Sequence, residues 1–218
     1  MKLSDPLASV VDMGAKTAML VSADRPVAEA LQGISEVDLD RAAELLSRLR
    51  PGSTVTATPP AALFDATYPA EGEVYALSAP GLDMLCDRTV MLDRPSELPE
   101  RLLALGRGRR TYLHAMHSMV DWLAFAVWED GRLARSLSVS PDDGVIEDIG
   151  DRLPFERPYW EGEHAVDDYP LPFHPLELGE RALYEFFGFF LEGFRTLDGK
   201  LAEPLVDDER VVMSGFRC

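Results

Sequence analysis

Residues 122–140 read WLAFAVWEDGRLARSLSVS, and this stretch decides the fold. Two apolar-rich runs flank Asp130-Gly131, the kind of dipeptide that a two-residue hairpin turn requires, because both of its positions need positive φ. With those residues as the turn, Glu129 faces Arg132, Trp128 faces Leu133, and the ladder continues without interruption. One face then carries Trp122, Ala124, Ala126 and Trp128 opposite Val139, Leu137, Arg135 and Leu133. The other carries Asp121, Leu123, Phe125 and Val127 opposite Ser140, Ser138, Ser136 and Ala134. Both faces are largely apolar, so the ribbon is expected inside a sheet covered on both sides.

Working outward, residues 111–116 form the strand that leads into the hairpin, and residues 16–23 (KTAMLVSA) read as a mostly buried strand. Pro26 opens a short helix that Gly33 stops, and Asp38 caps a stronger one. In that second helix Leu39, Ala42, Ala43, Leu45, Leu46 and Leu49 share one side until Pro51-Gly52 ends it. Strands are expected at 54–57 and 73–77, a strand pair or bent strand at 83–92, and a helix from Ser96 to Leu105. Residues 141–175 read as a loop rich in proline, glycine and acids, longer than a compact domain normally leaves unstructured, so it is either functional or wraps the core. Residues 176–191 follow as a helix whose Leu183, Phe186, Phe187, Phe190 and Leu191 make a wide apolar face. The expectation is a single α+β (mixed α/β) domain over residues 13–193, a central largely antiparallel sheet with packed helices. An extension precedes it at 1–12, and an acidic tail at 194–218 adds an edge strand around Val211-Val212-Met213.

The 218 residues are ample for a core, and the chain carries a net charge of −17. That charge is uneven: residues up to Arg110 contribute −4 and the rest −13. Such a surface repels phosphate backbones, which argues against nucleic acid as a partner. No apolar run approaches the roughly 18 residues of a membrane span, and the N-terminus is a poor export signal. Two cysteines, Cys86 and Cys218, make neither a disulfide framework nor a metal motif. A soluble, cytoplasmic protein is expected.

Chemistry concentrates where the hairpin opens. His114 and His117 lie three apart, which on a strand sets them on opposite faces. His117, Ser118 and Asp121 form a candidate catalytic group, since a carboxylate holding a histidine beside a hydroxyl suits general-base or nucleophilic catalysis. Ser118 lacks the G-x-S-x-G elbow that would mark a hydrolase nucleophile. His114, Ser138, Ser140, Trp160 and His164 are candidate ligand-binding residues. His117, Asp121, His174 and Glu177 make a candidate metal set of familiar ligand type, although no spacing demands it. No cofactor is otherwise implied. The acidic residues Asp142, Asp143, Glu147, Asp148 and Asp151 lack calcium-loop alternation and read as a solvated turn. Gly14-Ala15-Lys16-Thr17 lacks the first glycine and the Gly-Lys pair of a phosphate loop.

Several segments, MGAKTAMLV, YLHAMHSMVDWLAFAVWEDGRLARSLSVSPDDGVIEDIGDRLPFE, PYWEGEH and YPLPFHPLELGE, together resemble a family of actinobacterial proteins classed as a domain of unknown function. The resemblance runs from about Met13 to Gly193 and is weakest in the first twelve residues and from Phe194 onward. It implies lineage and a cytoplasmic setting, with no activity attached. The WEDGRLARS hairpin is also similar to small immunity proteins of bacterial conflict systems, an analogy of one hairpin only.

The leading expectation is a non-catalytic module that binds a protein partner or a small ligand through the 141–175 loop and the hairpin's polar end. The alternative is a hydrolase, metal-dependent in one version, built on a His/Asp/Glu cluster. A second alternative is an acidic immunity-like protein or nucleic-acid mimic.

Overall fold

The computed structural model describes residues 14–34, 37–196 and 199–218. Asp130 and Gly131 make the tight turn, with φ of 50° and 75°. They join two members of a nine-stranded antiparallel sheet: β1 (Lys16–Ala23), β2 (Thr56–Ala62), β3 (Glu73–Ala79), β4 (Leu82–Cys86), β5 (Arg110–His117), β6 (Trp122–Glu129), β7 (Arg132–Ser140), β8 (Gly144–Ile149) and β9 (Val212–Arg217). The spatial order is β2-β9-β3-β4-β1-β5-β6-β7-β8. β1 is therefore the central strand, and all eight of its residues are buried.

The hairpin ladder departs from the expected register by one residue. Trp128 pairs with Leu133 as expected, but Val127 then pairs with Arg135, leaving Ala134 as the extra residue of a β-bulge. Beyond the bulge, Phe125 pairs with Leu137 and Leu123 with Val139. Every later β7 side chain is thereby moved to the opposite face from an uninterrupted ladder. The reason is Arg135. The bulge turns its guanidinium to the Val127 side, where Nε lies 2.9 Å from Glu156 Oε1 and Nη2 lies 2.6 Å from Glu156 Oε2. Nη1 adds Asp148 Oδ1 at 2.5 Å and the Ile149 carbonyl at 3.0 Å. Arg135 is 1% exposed and Glu156 fully buried, so each charge is tolerated only because the other is there. Gly150 closes against the bulge: a Cβ there would fall 2.1 Å from the Ala134 carbonyl oxygen.

Two cores cover the sheet, as two apolar faces require. On one side lie α1 (Val27–Gln32) and α6 (Pro175–Phe187), packed with Phe125, Leu137, Phe173 and Phe187. On the other lies α2 (Leu39–Leu49), whose Ala42, Leu45, Leu46 and Leu49 share a core with Leu20, Leu85, Trp122 and Trp128. Asp38 caps α2 by accepting the Arg41 N–H at 3.0 Å. The one-turn helices α3 (Leu63–Ala66), α4 (Glu100–Leu103) and α5 (Arg157–Trp160) complete the layers.

Other differences from the sequence reading have local causes. β2 extends beyond the expected 54–57 through Pro59 and Pro60; β2 is a sheet edge and its pairing with β9 shifts register at these residues, so their missing N–H groups are harmless. Residues 83–92 are not a strand pair, because Asp87 accepts the Thr89 N–H and starts a single helical turn. Ser96 does not cap a helix; its hydroxyl and amide both bind the Glu147 carboxylate. The supposed loop at 141–175 contains β8, whose Val-Ile-Glu-Asp-Ile run is hidden among acids. α6 stops at Phe187 because Gly188 turns left-handed, φ 81°, beneath α1, where a Cβ would meet that of Ala28 at 2.6 Å. The C-terminal strand β9 is not at the edge but lies between β2 and β3. The extension expected over 1–12 lies outside the described residues.

Removing one member of the buried pair leaves an uncompensated charge. Arg135→Ala should lower unfolding free energy in urea by about 3–5 kcal/mol. Arg135→Met combined with Glu156→Leu should recover most of that loss; equal destabilisation by single and double variants would contradict the pairing.

Candidate functional site

Strand geometry divides the candidate residues into two groups on opposite sides of the sheet. Register aligns Lys16 with His117 and His117 with Trp122 across β1, β5 and β6. These three share a face with Ala18, Ala115 and Ala124 of the α2-side core. Leu123 pairs with Val139, so Ser140 comes next to Trp122 and extends the row onto β7. Asp121 leaves that row. At φ 46° it ends the helical turn after β5 in a left-handed conformation, and its carboxylate meets Tyr169 and His174 beside α6. His117 and Asp121 thus face different layers. The expected catalytic group does not assemble, since Asp121 turns to Tyr169 and His174 while Ser118 sits close against Gly14.

The α6-side residues satisfy one another. His174 caps α6, with Nδ1 accepting the Leu176 N–H at 3.3 Å. That leaves the proton on Nε2, 3.5 Å from Asp121 Oδ2, while Tyr169 donates to the same oxygen at 3.3 Å. With both ring nitrogens engaged, this histidine has no lone pair to offer a substrate. His164 stacks on Tyr159 at 3.9 Å and meets Glu177 Oε1 through Nδ1 at 2.7 Å. The expected metal set is therefore distributed: His117 stands apart, Asp121 pairs with His174, and Glu177 pairs with His164. Among the described residues no three His, Cys, Asp or Glu converge on a metal position. Trp160 lies under the Arg152 guanidinium, 4.1 Å from the ring, and against Phe173.

His114, fully buried, bonds Thr17 Oγ1 through Nδ1 at 2.7 Å and the Gly179 carbonyl through Nε2 at 2.9 Å. Burial lowers its pKa to about 4, so it is neutral and structural. Glu180, one residue further on α6, accepts the Leu191 and Gly193 amides through Oε2 at 2.8 and 3.3 Å. Its Oε1 finds no partner among the described residues. Burial pushes its pKa up to about 7, against the lowering effect of those amides.

The α2-side row is less satisfied. A cleft of about 500 Å³ opens over it, with His117, Trp122 and Ser140 on its floor and Asp93, Asp142 and Asp143 around it. Met91 and Val120 supply apolar wall. Trp122 is only 8% exposed, yet its indole N–H has no hydrogen-bond partner among the described residues. His117 Nδ1 is buried and equally unpartnered, and so is the Ser138 hydroxyl deeper on the same face. His117 packs edge-on to Tyr68 at 5.7 Å, with the Arg88 guanidinium 4.8 Å and Lys16 Nζ 5.6 Å from the same ring. Burial and those two cations lower the His117 pKa, which keeps the imidazole neutral at pH 7. Ser140 is tied to the turn, donating to Asp143 Oδ2 at 3.1 Å and accepting the Asp143 amide at 3.0 Å.

A larger cleft of about 790 Å³ lies at the other end of β1, between α1 and α6. Its polar groups are largely spent: Arg109 pairs with Asp83 at 2.9 Å, Arg110 with Glu129, and Asp130 accepts the Gly108 amide at 2.9 Å. Buried polar atoms left unpaired are the better sign of a ligand; Trp122 Nε1, His117 Nδ1 and Ser138 Oγ are so on the α2-side face, as are Trp160 Nε1, Glu180 Oε1 and Arg181 Nε beside α6.

Of the sequence candidates, His117 and Ser140 reach this cleft, while Ser138 lies below it. Sequence alone does not single out Trp122, whose pattern fits core, or Asp142 and Asp143, whose pattern fits a solvated turn. Lys16, Tyr68, Arg88 and Asp93 carried no local motif, and only the pairing of β1 with β5 brings the first near His117.

A family model described as a family of unknown function (DUF6928) matches residues 17–216. The match includes β9, beyond the point where the sequence resemblance weakens. No curated protein and no solved structure matches.

The two buried titrating groups give opposite pH dependences. Glu180 holds its proton more tightly when folded, so its stabilisation is complete below pH 4.5 and is lost as pH rises through 7. His114 binds its proton less tightly when folded, so its contribution is present above pH 6.5 and lost as pH falls through 4. Thermal denaturation of Glu180→Gln should therefore show stability rising with pH between 4.5 and 6.5, with the decline toward pH 7 removed. The difference from the unsubstituted protein should grow by about 2–3 kcal/mol across that range. A pH-independent difference would place the ionisation elsewhere.

Proposed function

The chain belongs to the DUF6928 family, and we propose that it serves as a non-catalytic binding module whose ligand enters the cleft over His117 and Trp122. One observation carries this reading: Trp122 and His117 line a single cleft, and beneath its surface Trp122 Nε1 and His117 Nδ1 have no hydrogen-bond partner among the described residues. A buried donor left unpaired costs about 1–3 kcal/mol, and a ligand oxygen relieves that cost once a small shift of the cleft floor uncovers Trp122 Nε1. The cleft volume falls within the range of small-molecule sites.

Binding is favoured over hydrolysis by the disposition of the histidines. Catalysis by a His–carboxylate pair requires one free ring nitrogen facing the substrate. His174 and His114 each have both nitrogens engaged, His117 has no carboxylate behind it among the described residues, and His164, which does pair with Glu177, lines a separate cleft beside Tyr159. No helix among the described residues is long and apolar enough to cross a membrane, and a cytoplasmic binding role accords with that.

The indole N–H resonance of Trp122, assigned by its loss in Trp122→Phe, should shift when a chemically diverse fragment library is titrated against the full chain. Trp122→Phe keeps the apolar ring and deletes the donor, so the affinity of cleft binders should fall about tenfold. Removing the unpaired donor offsets part of the packing lost with the smaller ring, so unfolding free energy should change by no more than about 2 kcal/mol. Fragments that instead gather at the Arg109–Tyr184 cleft, leaving the Trp122 signal unmoved, would overturn the assignment.

A further inference from the structure

A smaller cleft, of about 270 Å³, lies where the segment carrying Pro154, Tyr159 and His164 meets α6. Along α6, Glu177, Arg181 and Glu185 are spaced four apart and share one side of the helix. Each carboxylate in that stripe has a partner: His164 Nδ1 lies 2.7 Å from Glu177, and Arg181 Nη2 donates to Glu185 at 2.6 Å. The His164 ring stacks on Tyr159, with centroids 3.9 Å apart and planes within 10°, which holds the imidazole at the cleft wall. Arg195, from the segment after α6, completes the lining. Its side chain is exposed, bonds the Gly199 carbonyl through Nη1 at 2.8 Å, and pairs with no carboxylate among the described residues.

Hydrogen-bonding capacity is left over here, and it is open to solvent. Arg181 Nη1 and His164 Nε2 make no hydrogen bond among the described residues, and neither is buried, in contrast to Arg181 Nε. Two guanidinium groups and one carboxylate line the cleft, so one positive charge is unbalanced, while Glu177 stays outside the lining against His164. In a chain of net charge −17, a concave spot with surplus positive charge is an exception to the surface around it. The remaining lining, Pro154, Phe155, Pro158 and the Tyr159 ring, is largely apolar. A single surplus charge beside an apolar wall suits a monoanion with an apolar body. A phosphate monoester carries about 1.5–2 negative charges at pH 7 and would be left partly uncompensated. A carboxylate matches one charge, and its two oxygens meet a guanidinium through parallel hydrogen bonds. The cleft is smaller than most drug-sized sites, which limits the ligand to a body of about one ring.

We propose that this cleft is a second binding site, for a small organic carboxylate whose charge is held by Arg195 and Arg181 and whose apolar body lies against Phe155 and Tyr159. The site is separate from the cleft over His117 and Trp122 and does not depend on a ligand there.

The test uses the full chain and four probes built on one ring: benzoate, benzamide, benzylamine and phenyl phosphate. Binding is read by calorimetry and from the His164 ring resonances, assigned by their loss in His164→Gln. Benzoate should bind and shift those resonances, and benzamide and benzylamine should bind at least tenfold more weakly. Arg195→Gln should weaken benzoate about tenfold and Arg195→Lys by less. Both variants should keep an unchanged Tm, because this exposed side chain makes one hydrogen bond among the described residues. Trp122→Phe should leave benzoate affinity unaltered; loss of benzoate binding in that variant would move the carboxylate to the other cleft and overturn the assignment. Phenyl phosphate binding more tightly than benzoate would replace the carboxylate with a phosphoryl ligand. Benzamide or benzylamine matching benzoate, benzoate indifferent to Arg195→Gln, or no shift at His164 would each remove the anion site altogether.

Discussion

The arginine at position 135 is a cation with no access to water, and much of this structure follows from where its charge is satisfied. Its partner, Glu156, lies on the α6 side of the sheet, and the strand reaches it only by inserting Ala134 as an unpaired residue. That single insertion sets the facing of every residue from Arg135 to Ser140. It places Leu137 and Val139 in the α6-side core, and it sends Ser136, Ser138 and Ser140 to the other face, where Ser140 meets the Trp122 row. The same ion pair fastens the segment after β8 to the sheet, so the 141–175 region is anchored at its middle by electrostatics and not by apolar contact alone.

The two sides of the sheet use their polar groups differently. Beside α6, histidines, tyrosines and carboxylates form pairs that cap a helix and hold a long segment in place, although Trp160 Nε1, Glu180 Oε1 and Arg181 Nε are left without partners among the described residues. Beside α2, a row of polar side chains ends in ring nitrogens without partners among the described residues, under a cleft bordered by carboxylates. A protein interior rarely leaves such groups unpaired without a use for them. What sets the α2 side apart is that its unpaired nitrogens belong to residues of one cleft.

Much of the fold was legible because it rests on local chemistry. The Asp130-Gly131 turn, the buried β1 strand and the Asp38 cap of α2 each follow from a few adjacent residues. The spacing of His114 and His117 likewise sends them to opposite faces, as a strand demands. The register past the turn was not legible, because the bulge is imposed by Glu156, twenty-one residues away in sequence. β8 was obscured because its valine and isoleucines are interleaved with acids, one of which, Glu147, turns inward to bind Ser96 and Ser136. The site was half legible. His117 and Ser140 stand in it, but the expected companion Asp121 is turned away by one left-handed residue, and Trp122 gives no sign in sequence that its N–H will be left without a partner.

The sheet ends in two unlike margins. β2 carries Pro59 and Pro60, which withhold amide protons from any approaching strand. β8 has no proline and exposes Val145 and Ile149, but it is bordered by Asp142, Asp143, Asp148 and Asp151. One margin is thus closed by covalent geometry at any ionic strength, and the other is guarded by electrostatic repulsion that salt screens. Of the two margins, β8 is therefore the one whose protection concentrated salt weakens.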